Sequence, residues 1–299
     1  MTSGILLLDK PQGLSSNAAL QRVRHAFGKV KAGHTGSLDP LATGMLPICL
    51  GEATKVAGDL IEGRKAYVFD LRLGERTATG DREGEVVERL DVPVNAAELL
   101  REAAVAHSGA GRQIPPMYSA LKRDGQPLYK LARQGIEVPR ESRAIQIDSL
   151  VLVLSHGVDS SWRVICSKGT YVRTLAEDIA RSIGCCGHLV RLRREWVEPF
   201  AGLALQTLDA VLTDPMAATL LPADAALPQL AAVSLDEDAV LRLQRGQQQG
   251  LDAAQLAGAP EGRVRVYARG GVFLGVGEIM AGGVLQPRRL FNDLRSGFT

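Results

Sequence analysis

The sequence predicts an α+β fold, and three observations carry that prediction. Residues 66–73 alternate, with Tyr67, Phe69, Leu71 and Leu73 on one face and Val68, Asp70 and Arg72 on the other, which is the pattern of a strand with one apolar face. Two further alternating runs, Ile145-Gln146-Ile147 and Val151-Leu152-Val153, lead into Trp162–Ser167 with no helical spacing between them, so antiparallel neighbours are expected among strands that helices otherwise separate. No glycine-rich dinucleotide fingerprint and no P-loop is present, which removes the doubly wound nucleotide-binding classes.

The elements follow in order. Ile5–Leu8 reads as a short buried strand ending in the turn Lys10-Pro11-Gln12-Gly13. Ser15 or Ser16 then caps a helix whose Ala19, Leu20, Val23 and Phe27 fall at helical spacing, closed by Gly28. Met45–Leu50 reads as a strand, Glu52–Ile61 as a short helix ending at Gly63, Arg76–Asp81 as a turn, Glu85–Leu90 as a strand, and Asn95–His107 as a helix. Residues 109–141 break the pattern, because Gly109, Gly111, Pro115, Pro116, Gly125, Pro127, Gly135 and Pro139 leave room for one short helix, Leu128–Arg133. Such a segment packs poorly alone and is expected to be a mobile insertion that orders on a partner. A helix is expected from Thr174, where Thr174-x-x-Glu177 has capping-box spacing and Leu175, Ile179 and Ile183 share a face. Tyr171 and Arg173, two apart in a stretch read as extended, would leave the same side of the chain. An alanine- and leucine-rich connection runs to about Pro228, and Arg263–Tyr267 and Val272–Ile279 then alternate around glycine turns as a small β-barrel.

Composition narrows the functions available. A chain of 299 residues with 45% apolar content can bury one large core or two smaller ones. No run of eighteen apolar residues and no charged-then-apolar leader is present, so no membrane span and a cytoplasmic location are expected. Cys49, Cys166, Cys185 and Cys186 form no C-x-x-C pair, which points to buried reduced thiols and to neither a disulfide nor a metal site. The net charge of +2 is small, but residues 112–143 carry an excess of four positive charges and so do residues 263–299. Two separated basic patches suit a ligand gripped at two places along a phosphate backbone, while ordinary solvated surface gives the same count.

The segment Ala32–Gly44 holds the chemistry. Three glycines and a proline within thirteen residues stop a helix or a central strand, and Leu38 and Leu41 can anchor the loop while Asp39 presents one carboxylate. Spacing alone admits two readings of Asp39, an ordinary turn aspartate ahead of Pro40 and a nucleophile or general base. The run His34-Thr35-Gly36-Ser37-Leu38-Asp39-Pro40-Leu41-Ala42-Thr43-Gly44-Met45-Leu46-Pro47 resembles the catalytic motif of the bacterial tRNA pseudouridine(55) synthase family. The resemblance extends through Leu8–Ser16, Cys49–Lys55, Pro115–Lys122 and Lys168–Leu175, covers most of residues 4–200, and is looser toward the C-terminus.

That resemblance implies a pseudouridine synthase fold, with a mixed and mainly antiparallel sheet flanked by helices, in a catalytic domain over residues 1–229 that contains the insertion at about 109–141. It implies a PUA-like RNA-binding barrel over residues 230–299. It implies isomerisation of uridine 55 in the T loop of tRNA by a stand-alone monomer in the cytoplasm, needing no cofactor, metal, guide RNA, membrane or protein partner. Asp39 is then the nucleophile, Arg173 its buried cationic partner, opposing by roughly 1–3 units the rise in pKa that burial brings, and Tyr171 the group that removes the C5 proton or packs the sugar. Extruding a stacked uridine costs a few kcal/mol, of which stacking on Tyr67 recovers about 1–3 kcal/mol; on pattern alone Tyr67 reads first as a core tyrosine. The family likeness adds His34 and Leu192 to the flipped-base site, although His34 by itself reads as a turn histidine. Lys122, Arg123 and Lys130 of the basic insertion are expected to contact RNA phosphates. Two departures stand out: Ala78 replaces a usual aspartate, and Leu192–Phe200 carries Glu195, Trp196 and Glu198 where the family motif differs. The alternatives are the related synthase that works within a guide-RNA particle, against which Pro115-Pro116-Met117-Tyr118 argues, and an RNA-folding chaperone.

Overall fold

The computed structural model describes residues 2–123 and 125–291. Strand β1 (Gly4–Lys10) is a nearly continuous apolar run because it is buried on both faces. Leu6 and Leu8 pack with Leu20 and Val23 of α1 (Ser16–Ala26), while Ile5 and Leu7 enter a second core on the opposite side. Ser15 caps α1 through its Oγ, which accepts from the Ala18 N–H, and Ser16 is thereby released for another partner. Strands β2 (Ala32–His34) and β3 (Thr43–Leu50) flank the Asp39 loop, so β3 starts two residues earlier than the sequence suggested. The helix expected at 52–61 is a 3₁₀ turn, Gly51–Val56, followed by α2 (Ala57–Glu62).

Strand β4 (Lys65–Leu73) buries the alternating face as read, and Phe69 stacks on Trp162 across the ladder with centroids 6.1 Å apart. A two-stranded ribbon, β5 (Glu75–Thr77) and β6 (Val86–Arg89), takes up part of the expected turn; α3 (Ala96–Ala106) follows. The insertion is shorter than its composition suggested. Its first five residues form β7 (Gly109–Gln113), an edge strand paired with residues 143–147, because main-chain pairing needs no apolar side chains. What lies outside the sheet is a minimal hairpin, β8 (Lys122–Arg123) with β9 (Gln126–Pro127), and α4 (Leu128–Ala132).

The two runs at 145–153 are one strand, β10 (Arg143–His156), paired antiparallel with β11 (Asp159–Cys166). Helix α5 (Val172–Ser182) buries Leu175 and Ile179, but it starts before the expected capping box. Its N-cap is Tyr171 and Thr174 lies inside the first turn, since tertiary contacts rather than a local side chain fix this start. Strand β12 (Gly187–Val197) is central, and β13 (Gln206–Thr207) and α6 (Leu208–Thr213) close this part of the chain. Among the described residues the large sheet runs β13-β1-β3-β12-β4-β11-β10-β7, with β2 beside β3; only β1–β13 and β3–β12 pair in parallel. It is the mixed, mainly antiparallel sheet that was expected, with α3 and α5 on one core.

A second sheet follows residue 230: β14 (Ala231–Leu235), then α7 (Glu237–Gln244), β15 (Gln249–Gly250), α8 (Ala253–Ala257), β16 (Gly262–Ala268), β17 (Phe273–Met280) and β18 (Val284–Leu290). Its five strands run β14-β16-β17-β18-β15 around their own core, matching the PUA-like module. Val276 and Phe273 nevertheless reach the core that contains Ile5, Leu7 and Met45.

Candidate active site

The Asp39 loop is held at four points. Leu38 and Leu41 are buried in the core between sheet and helices. Ser16 is buried, and its Oγ both accepts from the Leu38 N–H at 2.7 Å and donates to the Leu38 carbonyl at 3.0 Å. The Pro40 carbonyl accepts from the Gly13 N–H at 2.8 Å, with Lys10 Nζ 3.5 Å away. Gly44, at φ +99°, passes so close to β12 that a Cβ would lie 2.2 Å from the Arg194 carbonyl oxygen, so only glycine fits. One carboxylate is thus fixed beside the central strands β3 and β12 by partners drawn from several elements.

Arg173, in the first turn of α5, donates from Nε to Asp39 Oδ2 at 2.9 Å, and its Nη2 lies 3.5 Å from Asp39 Oδ1. Its remaining donors meet main-chain acceptors, Thr79 O at 2.7 Å and Tyr118 O at 2.5 Å, and Asp81 stands 3.9 Å away. The pairing expected from the sequence is present, but only one member is buried: the Arg173 side chain is 5% exposed and that of Asp39 41%. The carboxylate faces an open cleft of about 610 Å³.

Asp39, Tyr67, Tyr171, Arg173 and Leu192 all line this cleft. Tyr67 is the core residue of β4 that one of its sequence readings expected, and it also lines the cleft. Burial raises the pKa of the Tyr67 phenol, opposed by the Arg194 guanidinium. Burial likewise raises that of Tyr171, with the neighbouring Ser119 hydroxyl and Arg173 pulling the other way. Both are therefore neutral hydroxyls near pH 7, and neither is a ready phenolate base. Tyr171 and Arg173 do not lie on one extended face as read from the sequence; Tyr171 is extended, Arg173 is helical, and the turn between them brings both to the cleft. His34 sits on β2, outside the cleft lining, with Nδ1 buried and without a partner among the described residues; burial, then Arg194, lowers its pKa. Lys122, Arg123 and Lys130 are exposed on the insertion, away from the cleft lining, while Ser119, Ala120 and Leu121 of the same segment form one of its walls.

Sequence reasoning gave no role to Arg194, Lys65, Lys10, Asp81 or Gln113. Arg194 is 1% exposed, donates to Met45 O at 2.7 Å and Gly36 O at 3.1 Å, and lines the cleft; a basic residue sharing parity with Leu192 in a strand was the available signal. Lys65 and Lys10 are both pushed down to about 8, chiefly by burial, and each donates to main-chain carbonyls. The two departures are absorbed. Ala78 is exposed, and its turn is held by Thr77 Oγ1 and Thr79 Oγ1 donating to Asp81. Glu195 pairs with Arg163 at 2.7 Å and Trp196 packs on the core of β1. The four cysteines are buried free thiols. Of the C-terminal basic patch, Arg263 pairs with Asp59, Arg265 donates to Leu230 O, and Arg288 pairs with Glu278; Asp293 and Arg295 lie outside the described residues.

Comparison with known proteins matches residues 24–172 to the TruB family pseudouridylate synthase N-terminal domain. Residues 173–228 match the tRNA pseudouridylate synthase B C-terminal domain, and residues 231–291 the Pseudouridine synthase II TruB C-terminal domain. A relative from Burkholderia mallei (strain NCTC 10247), named tRNA pseudouridine synthase B, is 49% identical over 294 residues, spanning 96% of each chain. One of the same name from Pseudomonas putida is 46% identical over 300 residues, covering 97% of this chain and 96% of its own. Among solved structures, a Cbf5-Nop10-Gar1 complex matches with TM-score 0.71 at 23% identity, over 96% of this chain and 84% of that one. An H/ACA RNP bound to a substrate RNA containing 2'-deoxyuridine matches with TM-score 0.70 at 21% identity and the same coverage. These two bear on the fold alone, and the fold they share is the one built above around Asp39. With near half of its residues identical to relatives so named along almost its whole length, the chain belongs to the TruB family of pseudouridylate synthases.

Proposed function

We propose that this protein converts uridine 55 in the T loop of tRNA to pseudouridine, acting alone, with Asp39 as the nucleophile. The observation that carries the reading is the Asp39 carboxylate, 2.9 Å from a buried arginine and open to a cleft with two neutral tyrosines. The reaction breaks the bond between ribose C1′ and N1, forms one from C1′ to C5, removes the C5 proton and protonates N1. It involves no net redox change, so it calls for no cofactor. A carboxylate held by Arg173 at the cleft is placed to attack, while the tyrosines offer a stacking surface and a hydroxyl beside the extruded base.

Lys122, Arg123 and Lys130 supply phosphate contacts from the insertion, and residues 230–299 act as a second RNA-binding domain behind a catalytic domain of residues 1–229. His34 fills space in the opened RNA loop rather than touching the reacting base. The stand-alone reading is favoured over a guide-RNA particle by the Pro115–Leu121 segment, part of which walls the cleft within this chain. The enzyme is expected to work as a monomer in the cytoplasm, where unmodified tRNA is found.

The test is incubation of the purified protein with an unmodified tRNA transcript, without guide RNA and in a chelator, followed by mapping of pseudouridine. Product at position 55 is expected from the parent. Asp39→Asn, with similar shape and no charge, should bind tRNA within about threefold of the parent and form no product, a loss of at least about 10⁴ if covalent catalysis is its role. Substantial turnover by that variant would remove Asp39 from the mechanism.

A further inference from the structure

Gln113 is the last residue of β7 and the root of the insertion, and it is 4% exposed. Its carboxamide is spent on the main chain of a single residue. Oε1 accepts from the Tyr171 N–H at 2.8 Å, and Nε2 donates to the Tyr171 carbonyl at 3.1 Å. A carboxamide can meet a donor and an acceptor together, which a carboxylate or an apolar group cannot do. Gln113 thus stands in for a strand partner at a place where the ladder has ended. The same Tyr171 carbonyl also accepts from the Leu175 N–H, the first bond of α5, and no side chain of its own caps that helix. Five residues along the insertion, the Tyr118 carbonyl accepts from Arg173 Nη2. The root of the insertion is therefore tied to the start of α5 at two successive points, one at Tyr171 and one at Arg173.

We infer that Gln113 is a positioning residue for isomerisation: by holding both main-chain groups of Tyr171 it fixes where the phenol enters the cleft and where the first turn of α5 delivers Arg173 to Asp39. This rests on the reading of Asp39, Tyr171 and Arg173 given above. Gln113 touches no reacting atom. Its effect passes through the placement of two side chains that do line the cleft, and a displacement of about 1 Å at such a site can cost about a hundredfold in rate.

The experiment measures single-turnover formation of pseudouridine in an unmodified tRNA transcript by the parent, Gln113→Ala and Gln113→Glu, with tRNA affinity and thermal unfolding alongside. For Gln113→Ala the rate constant at saturating enzyme should fall by about tenfold to a hundredfold, with Kd within about threefold of the parent. Gln113→Glu gives a second reading. Ionised, the glutamate accepts from the Tyr171 N–H and repels the carbonyl; protonated, it restores both bonds. Its rate relative to the parent should therefore rise by about fivefold or more between about pH 8 and about pH 6, burial having raised the carboxyl pKa, while the alanine ratio stays flat. Arg76, Arg112, Arg140 and Arg181, with Glu137, Glu177 and Asp178, line the cavity beside Gln113, and Arg143 pairs with it in the ladder; the alanine ratio measured over the same pH range is the control for them. A parent-like rate in the alanine variant, a glutamate ratio that ignores pH, or failure of both variants to fold would each overturn the inference. A parent that makes no pseudouridine would instead overturn the functional reading and this inference with it.

Discussion

Arg173 shows how far a single residue can be read and where the reading stops. Its partnership with Asp39 followed from the motif and from the need to keep a carboxylate charged; its bonds to Thr79 O and Tyr118 O did not, because main-chain acceptors have no sequence signature. The expected cost of removal changes accordingly. Asp39 is open to solvent and can be rehydrated, so Arg173→Ala does not strand that carboxylate, although it takes the cation away from buried Asp81, 3.9 Å distant. It strands two carbonyls, each worth about 1–3 kcal/mol when left unsatisfied. The variant should lose catalysis and about 2–4 kcal/mol of stability in urea titrations; parent-like values of both would show that the guanidinium serves neither purpose. Arg194 and Gln113 were missed for a related reason. The first is a charge in an apolar strand register and the second acts on a residue 58 positions away, so only the folded neighbourhood reveals what they hold.

At the scale of elements, strands with strict alternation were read well and ends were read less well. Residues 66–73 lie where the pattern put them, whereas Thr174-x-x-Glu177 imitated a helix start that tertiary bonding sets at Val172. The insertion was recognised from its glycines, prolines and charge, but glycine-rich β7 was taken with it, since edge pairing leaves no periodic trace. Leu128 anchors α4, while Lys122, Arg123 and Lys130 are exposed, with Arg123 donating to Pro139 O at 3.1 Å. Replacing all three with alanine should weaken tRNA binding and flatten the plot of log affinity against log salt by about 0.7–0.9 for each phosphate that is no longer neutralised. Chemistry on bound RNA should suffer less than affinity. A salt titration with the parent's slope would return these residues to the solvated surface.

For the whole molecule, composition foresaw one core or two, and the structure joins them. The second sheet has its own core, yet Phe273 and Val276 pack with residues of β1 and β3, Arg263 pairs with Asp59 at 2.6 Å, and Lys55 Nζ donates to Leu290 O at 2.7 Å. The ion pair is half exposed on its arginine side and contributes no more than about 1 kcal/mol, so apolar packing dominates this junction. Both tryptophans, Trp162 and Trp196, lie in the large sheet and report on its unfolding, Trp196 from the core that Phe273 also reaches and Trp162 from another. Phe273→Ala, made in the second sheet, should shift that tryptophan signal in urea by about 3 kcal/mol. An unchanged tryptophan transition would mean that the two sheets unfold independently.

The bond from Arg173 to the Tyr118 carbonyl has a consequence for genetics. Its acceptor is a peptide oxygen, which every side-chain exchange at position 118 leaves in place, so a scan of single substitutions along the insertion passes over the bond in silence. What such a scan records as a tolerant position is one where the information resides in the path of the chain, and it becomes visible only to changes that redirect that path, such as an added or deleted residue between Gln113 and Tyr118.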